Sequence, residues 1–372
     1  MQNVQIIKVE TKKDLSKFIK FPWRLYKNDS YWVPPLIIDQ KKIFNKKINP
    51  FFRHGDIQLF LAYSENNIVG RIAAISNDLH NKVHNDRIGF FGFFESINDQ
   101  SVANVLFENV ENWCKDKGFN EMHGPANPSS NEEYGLLVDG FNDSPRIMMT
   151  YNPKYYIDLY ENYGLIKAKD LYAFKLIDNQ VITSEKMKRG AELVKRKYGI
   201  KIRPINMKNF NKDLENFKYI YNKAWQPNWG FVPMTNEEID YIAKSLKSFI
   251  NPDLIIYGYI NDELVSAALV LPDYNYVLKG MNGRIFPNLI KLPFLKKKIE
   301  WARIITLGVI PEYQKRGIDT LMYYELYKRI VNAGYHFGEA SWILEDNIMM
   351  LRGAELLNAE IYKTYRIYSK KI

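Results

Sequence analysis

The stretch Leu307-Gly308-Val309-Ile310-Pro311-Glu312-Tyr313-Gln314-Lys315-Arg316-Gly317-Ile318-Asp319-Thr320 decides how the rest of this chain is read. Ile304, Ile305, Leu307 and Val309 form an apolar run, the pattern of a buried strand. Pro311 and Gly317 punctuate a turn. Beyond it, Ile318, Leu321, Met322, Leu326, Ile330 and Val331 recur at helical spacing. A loop carrying Lys315 and Arg316 therefore delivers the chain into a helix N-terminus. Unpaired N–H groups and the helix dipole favour an anion there.

Val309-x-Pro311, Gln314 and Gly317, set between a strand and a helix, resemble the CoA-binding signature of the GNAT acyltransferase superfamily. Asp319 departs from it, since Gly or Ala is usual at that place. The resemblance implies that Leu307, Gly308, Val309, Gln314, Lys315, Arg316, Gly317, Ile318, Asp319, Thr320 and, further on, Asn347 hold acetyl-CoA or another acyl-CoA.

The 372 residues exceed what one core usually serves, so two domains are expected. No apolar run is long enough to span a bilayer, and Met1-Gln2-Asn3-Val4 does not open a secretory signal. The single cysteine, Cys114, fits a reducing cytoplasm and reads as a core thiol. The formal charge of +10 suits an anionic ligand, but the lysines are scattered as a solvated surface would have them. Neither nucleic acid nor membrane is expected as a partner, and the oligomeric state is open. No histidine has companions at metal-ligand spacing, so no metal is expected.

Working outward, the chain repeats itself. The hairpin Asp56–Tyr63 and Ile68–Ile75 recurs as Asp253–Tyr259 and Leu264–Leu269. A shift of 216 positions places Gly118 on Gly334, Leu106 on Met322, Val110 on Leu326 and Asn131 on Asn347. Each half reads strand, helix, hairpin, strand, helix, strand, helix, strand. The implied architecture is α/β (α+β): two tandem GNAT-like domains, each a central mixed β-sheet flanked by helices. Residues 1–178 form the degenerate first domain, and residues 179–372 the domain with the CoA loop. The boundary is expected near Asp178-Asn179-Gln180. The proline- and aromatic-rich stretch from Phe21 to Leu36 reads as a loop folded over a surface, either packed against the core or lidding a cleft.

The halves differ at the decisive turn. The first has Glu95-Ser96-Ile97-Asn98-Asp99-Gln100, with two carboxylates and no glycine. A pyrophosphate would be repelled there, so one CoA site is expected, in the second half.

The implied chemistry is acyl transfer from a CoA thioester to an amine of a small molecule or peptide. A base must take the amine proton, and a backbone N–H from Leu307 to Val309 would stabilise the oxyanion. The family's thiolate-protonating Tyr falls on Ala354, so this acid is absent from its expected place. Tyr362 or Tyr365 could substitute, although both read as a solvated last strand. Glu339, Glu345 and Glu300 are candidate bases. Asn127, Asn131, Glu132 and Tyr134, in a rigid polar segment after the first domain's post-helix strand, are candidates for the acceptor, as is Trp225. Two other readings fit: a catalytically silent acyl-CoA-binding protein, and a Fem-like transferase using aminoacyl-tRNA.

Overall fold

The computed structural model describes residues 4–177, 185–226, 228–247, 249–286 and 288–372. The expected boundary residues Asp178 to Gln180 lie outside them.

The first half runs β1 (Val4–Lys8), α1 (Lys12–Leu25), α2 (Ile37–Ile43), β2 (Gly55–Ser64), β3 (Asn67–Asn77), α3 (Asp78–His84), β4 (Ile88–Ser96), α4 (Gln100–Asp116) and β5 (Glu121–Gly124). It continues through the short β6 (Ala126–Asn127), β7 (Glu133–Tyr134) and β8 (Leu136–Asp139) to α5 (Tyr156–Asn162) and β9 (Ile166–Ile177). The second half has α6 (Glu185–Tyr198), β10 (Lys201–Pro204), α7 (Phe210–Ala224), α8 (Asn236–Leu246), β11 (Ile255–Ile260) and β12 (Glu263–Pro272). Then come α9 (Asn275–Met281), α10 (Leu292–Lys296), β13 (Trp301–Val309), α11 (Ile318–Asn332), β14 (Phe337–Leu344), α12 (Ile348–Leu356) and β15 (Glu360–Lys371). The repeated hairpins are β2–β3 and β11–β12, each antiparallel with one bulge near its turn.

Two compact units result, and neither is one uninterrupted block as a division after residue 178 would make it. Unit 1 is Met1–Leu171 with Val277–Lys291 and Lys363–Ile372; unit 2 is Tyr172–Tyr276 with Leu292–Tyr362. The last strand of each half has changed place. In unit 1 the sheet order is β1-β2-β3-β4-β5, closed by the Lys363–Lys371 part of β15. Tyr368 pairs with Gly124, and Lys371 with Glu121. In unit 2 the order is β10-β11-β12-β13-β14, with the Tyr172–Ile177 part of β9 beside β14. Each unit buries its own apolar core against the helices: around Phe91, Phe107 and Tyr160 in unit 1, and around Tyr257, Met322 and Leu326 in unit 2.

The expected Phe21–Leu36 loop is in part helix, because α1 continues through Pro22 to Leu25. Proline lacks the N–H that would bond the carbonyl four residues back. Here the buried Arg71 guanidinium donates to that Phe18 carbonyl at 2.8 Å and replaces the missing bond. Trp32 stacks on Tyr26 with ring centroids 4.9 Å apart, so the aromatics do pack. The Gly280–Gly283 insert belongs to the same unit: Trp23 Nε1 donates to Asn282 Oδ1 at 3.0 Å. Tyr365 is fully buried, which corrects the expected solvated strand. It pairs with Leu137 of β8 in the core of unit 1.

Candidate acyl-CoA site

In unit 2, β12 and β13 pair antiparallel until the register slips between Leu269 and Val270, leaving Ile305 as the extra residue of a bulge. The parallel pairing of β13 with β14 covers only Trp301 to Ile304 against Phe337 to Ala340. Both strands run on without pairing to each other, so they splay. Ile310 N–H donates to Val265 O at 3.0 Å, which sets the alternation along the β12–β13 ladder. Thr306 and Gly308 bond towards β12, while Leu307 and Val309 turn their N–H and C=O groups into the gap. Gln314 Nε2 donates into this gap, to Val309 O at 2.9 Å.

Gly308 belongs there for steric reasons. A Cβ on it would lie 2.4 Å from the Trp225 ring, which covers this part of β13 at the end of α7. Past the gap, Lys315 (φ 59°) and Gly317 (φ 77°) take left-handed conformations that turn the chain sharply into α11. Gly317 is the N-cap and offers no side chain to the helix. The first N–H groups of α11 therefore carry no side-chain cap, and the exposed Lys315 and Arg316 stand beside them. Arg316 bonds Glu312 O at 2.8 Å and sits over the Tyr313 ring. Asp319 and Thr320, in the first turn of α11, line a groove with Met187, Tyr323, Met349, Met350, Gly353 and Leu357. Tyr323 lies in the groove with its hydroxyl 3.6 Å from Met350 Sδ. Tyr323 and Leu357 also line a second, almost wholly apolar pocket with Ile304, Tyr327 and Gly338.

Unit 1 supplies an internal control. Its strands β4 and β5 also part, after Phe90 and His123, but the chain fills the opening itself. Phe93 N–H donates to Asn127 Oδ1 at 2.6 Å. Ser96 N–H donates to the Tyr156 hydroxyl at 2.9 Å, and Ser96 O accepts from the Tyr155 hydroxyl at 2.7 Å. Gly92 lies so close to Ala126 O that a Cβ would be 1.7 Å from it. At α4 the helix N-terminus is capped by Asp99, whose Oδ1 accepts Ser101 N–H at 2.8 Å. Of the two carboxylates expected to repel a pyrophosphate, Asp99 thus stands in the anion's place. Glu95 instead is largely buried, accepting from Tyr26 and Tyr156 at 2.8 Å each. Burial pushes its carboxyl above the ordinary range, opposed chiefly by Arg71.

Glu339 is fully buried on β14, opposite Arg303 of β13. Arg303 Nε lies 3.3 Å from Glu339 Oε1, and Ser341 Oγ donates to the same oxygen at 2.7 Å. Tyr362 donates to Glu339 Oε2, so this tyrosine, too, is no solvated strand residue. The network lies at the last paired rungs before the splay. Just beyond, the buried Thr306 Oγ1 and Trp342 Nε1 have no hydrogen-bond partner among the described residues. Glu345 is half-buried in the turn between β14 and α12. Asn347 is the N-cap of α12, its Oδ1 accepting Met350 N–H at 3.2 Å.

The first-domain candidates are brought together within unit 1. Asn127 fills the gap, Tyr134 pairs with Ala126, and Asn131 and Glu132 form a turn over Ser129. Sequence reasoning missed Arg303 and Tyr323. Arg303 interrupts an apolar strand, a usable signal; Tyr323 sits inside an apolar helical stripe and gives none. Among the described residues, no group of three His, Cys, Asp or Glu side chains gathers as metal ligands.

No family model matches the chain. It is 34% identical over 387 residues to the "Bacterial ceramide synthase" of Caulobacter vibrioides (strain NA1000 / CB15N), covering all of this chain and 98% of that one. The chain belongs to the bacterial ceramide synthase family. "Protein YghO" of Escherichia coli (strain K12) is similar to it at 33% identity over 368 residues, 97% of this chain and 94% of that one. Among solved structures, the chain resembles a tandem GNAT protein from the clavulanic acid biosynthesis pathway. That match has TM-score 0.57 and 8% identity and covers 99% of this chain and 98% of the other. It also resembles a fungal GCN5-related glucosamine N-acetyltransferase region, with TM-score 0.59 and 12% identity, over all of this chain and 38% of that multi-domain protein. The fold is therefore the tandem GNAT fold.

Proposed function

We propose that the chain is an acyl-CoA-dependent N-acyltransferase with one active unit, unit 2, and that its acceptor is the amine of a long-chain amino alcohol. The observation that carries the first part is the contrast between the two splayed gaps. In unit 1 the amide, the carbonyl and the helix N-terminus are satisfied by the protein's own groups; in unit 2 Leu307 and Val309 N–H and the start of α11 are left for a ligand. The name of the Caulobacter relative supports the second part, because a ceramide is the amide of a fatty acid with such an amine.

In this reading the pyrophosphate meets Ile318, Asp319 and Thr320 N–H with Lys315 and Arg316 beside it. The pantetheine arm follows the Tyr323–Met350 groove. The thioester carbonyl receives an N–H from Leu307 or Val309, placed where the oxyanion develops. The amine arrives neutral and attacks; its proton passes towards Glu339, whose carboxylate Arg303 holds in place. Tyr323 is the tyrosine of the groove that can return a proton to the leaving thiolate, in the absence of one at Ala354.

The test is release of free CoA thiol from acetyl-CoA and long-chain acyl-CoA, each with a long-chain amino alcohol, an amino sugar, a polyamine and a peptide. Turnover confined to the amino alcohol with a long-chain donor supports the full reading. Turnover with another amine replaces the acceptor. CoA binding by calorimetry with no turnover across the panel favours the silent reading, and no CoA binding overturns the site.

A further inference from the structure

The almost wholly apolar pocket beside the groove takes no part in the acyl-transfer steps. Among the described residues it lies wholly within unit 2. The sheet forms one wall, with Ile304 of β13, Gly338 of β14 and Leu176 of β9. The other wall is α11, which contributes Tyr323, Tyr327 and Val331. From Tyr323 to Val331 the helix advances about 12 Å. Gly338 has no steric need to be glycine: a Cβ there would meet Leu176 at 3.4 Å, an ordinary contact. Its missing side chain leaves the sheet wall hollow. The pocket is joined to the groove, because Tyr323 and Leu357 line both. It also reaches the gap. Ile304 pairs with Ala340 at the last rung that β13 and β14 share, and the open backbone of Leu307 follows.

We propose that this pocket receives the hydrocarbon tail of a fatty acyl-CoA and thereby sets the chain length of the donor. The inference rests on the reading of the groove as the acyl-CoA site. A thioester held at Leu307 or Val309 starts its acyl chain close to Ile304. An acetyl group ends at the gap and leaves the pocket empty. A longer chain that continues past Ile304 runs between the sheet and α11. Each methylene moved from water onto such a lining strengthens binding roughly fourfold. Apolar and aromatic walls of this kind are what hydrocarbon ligands require. The hydrocarbon chain of the acceptor fits less well. The pocket continues the groove that the pantetheine arm follows, with Tyr323 and Leu357 common to both, so the chain carried by that arm is the one delivered to it. Val331, near the C-terminal end of α11, stands at the end of the pocket far from the groove.

The experiment is calorimetric titration of the full chain with CoA, acetyl-CoA, octanoyl-CoA and palmitoyl-CoA, with no acceptor present. The expected result is a Kd that falls as the chain lengthens, by about tenfold or more from acetyl to octanoyl. Val331→Trp, which fills the far end, should weaken palmitoyl-CoA binding by about tenfold or more while acetyl-CoA binds as before. Gly338→Ala, whose new methyl makes only ordinary contacts, should move the preference the same way by a smaller step. An unchanged thermal midpoint checks the fold of each variant. The proposal is overturned if wild type binds acetyl-CoA and the longer donors equally. It is also overturned if the folded variants bind palmitoyl-CoA as tightly as wild type. A variant that changes the preference among acceptors of different chain length, and not among donors, gives the pocket to the amine and overturns it as well. CoA binding without any dependence on chain length removes the pocket and leaves the acyl-CoA site standing; no CoA binding at all removes both.

Discussion

At the scale of single residues, the gap in unit 2 depends on positions that cannot be exchanged and on others that can. Gly353 lines the groove, and a Cβ added there meets nothing within 4 Å. Gly353→Leu should therefore fold at least as well, since leaving glycine in a helix interior gains roughly 0.5–1 kcal/mol. It should also raise the Kd for CoA by filling the groove. A thermal midpoint that holds while calorimetric affinity falls is the expected pair; unchanged affinity would remove the groove from the cofactor's path. Glu339 behaves differently. Replacing it with Ala leaves the buried Arg303 charge uncompensated and should cost about 3–5 kcal/mol in denaturant unfolding. Glu339→Gln keeps the shape, so if Glu339 is the base, kcat should fall on the order of a hundredfold with a far smaller loss of stability. An E339Q enzyme with wild-type kcat would leave Glu339 a purely structural partner of Arg303.

At the scale of elements, α3 and β5 bring three histidines of unit 1 together. His80 is buried 4.5 Å, ring to ring, from His84 and against Phe90. Burial first, then the fields of His84 and His123, bring its pKa from 6.5 down to about 3. Asp86, 3.7 Å away and half in solvent, does not offset this. The folded state thus keeps His80 neutral where the unfolded chain protonates it. That contribution is complete above pH 6.5 and is lost as pH falls towards about 3, at a slope approaching 1.4 kcal/mol per pH unit. Unfolding midpoints measured down this range should drop less steeply in His80→Phe; parallel curves would refute the assignment. The hairpins, the helices after them and the open turn at Gly317 were legible in the sequence, because each is written in local periodicity and turn chemistry. The filling of the first gap was not. Asn127 reads as one polar residue among several, and only the fold returns it to Phe93, 34 positions earlier.

At the scale of the whole molecule, the tandem repeat was legible but the exchange of last strands was not. The repeat preserves the order of elements, and nothing in the pattern of Lys363–Tyr368 says which sheet receives it. The consequence is measurable. A fragment ending at residue 178 lacks the strand that pairs with β5 and the buried Tyr365 and Tyr368. It also lacks Lys363, which donates to Ser144 O at 2.6 Å in unit 1. The fragment should show no cooperative melt by circular dichroism, while the full chain does. A sharp transition in the fragment would show that the exchanged strand is dispensable.

Asn127, Tyr155, Tyr156 and Asp99 make the first gap a receptor that carries its own tethered ligand. A group held in the same chain acts at a high and constant effective concentration, so free cofactor has little prospect of displacing it. Unit 1 thus enjoys permanently the stabilisation that ligand binding lends a native state, and unit 2 acquires it only when a ligand arrives. Adding CoA should accordingly slow amide hydrogen exchange in β13 and the first turns of α11, and leave β4 and α4 as protected as they already were.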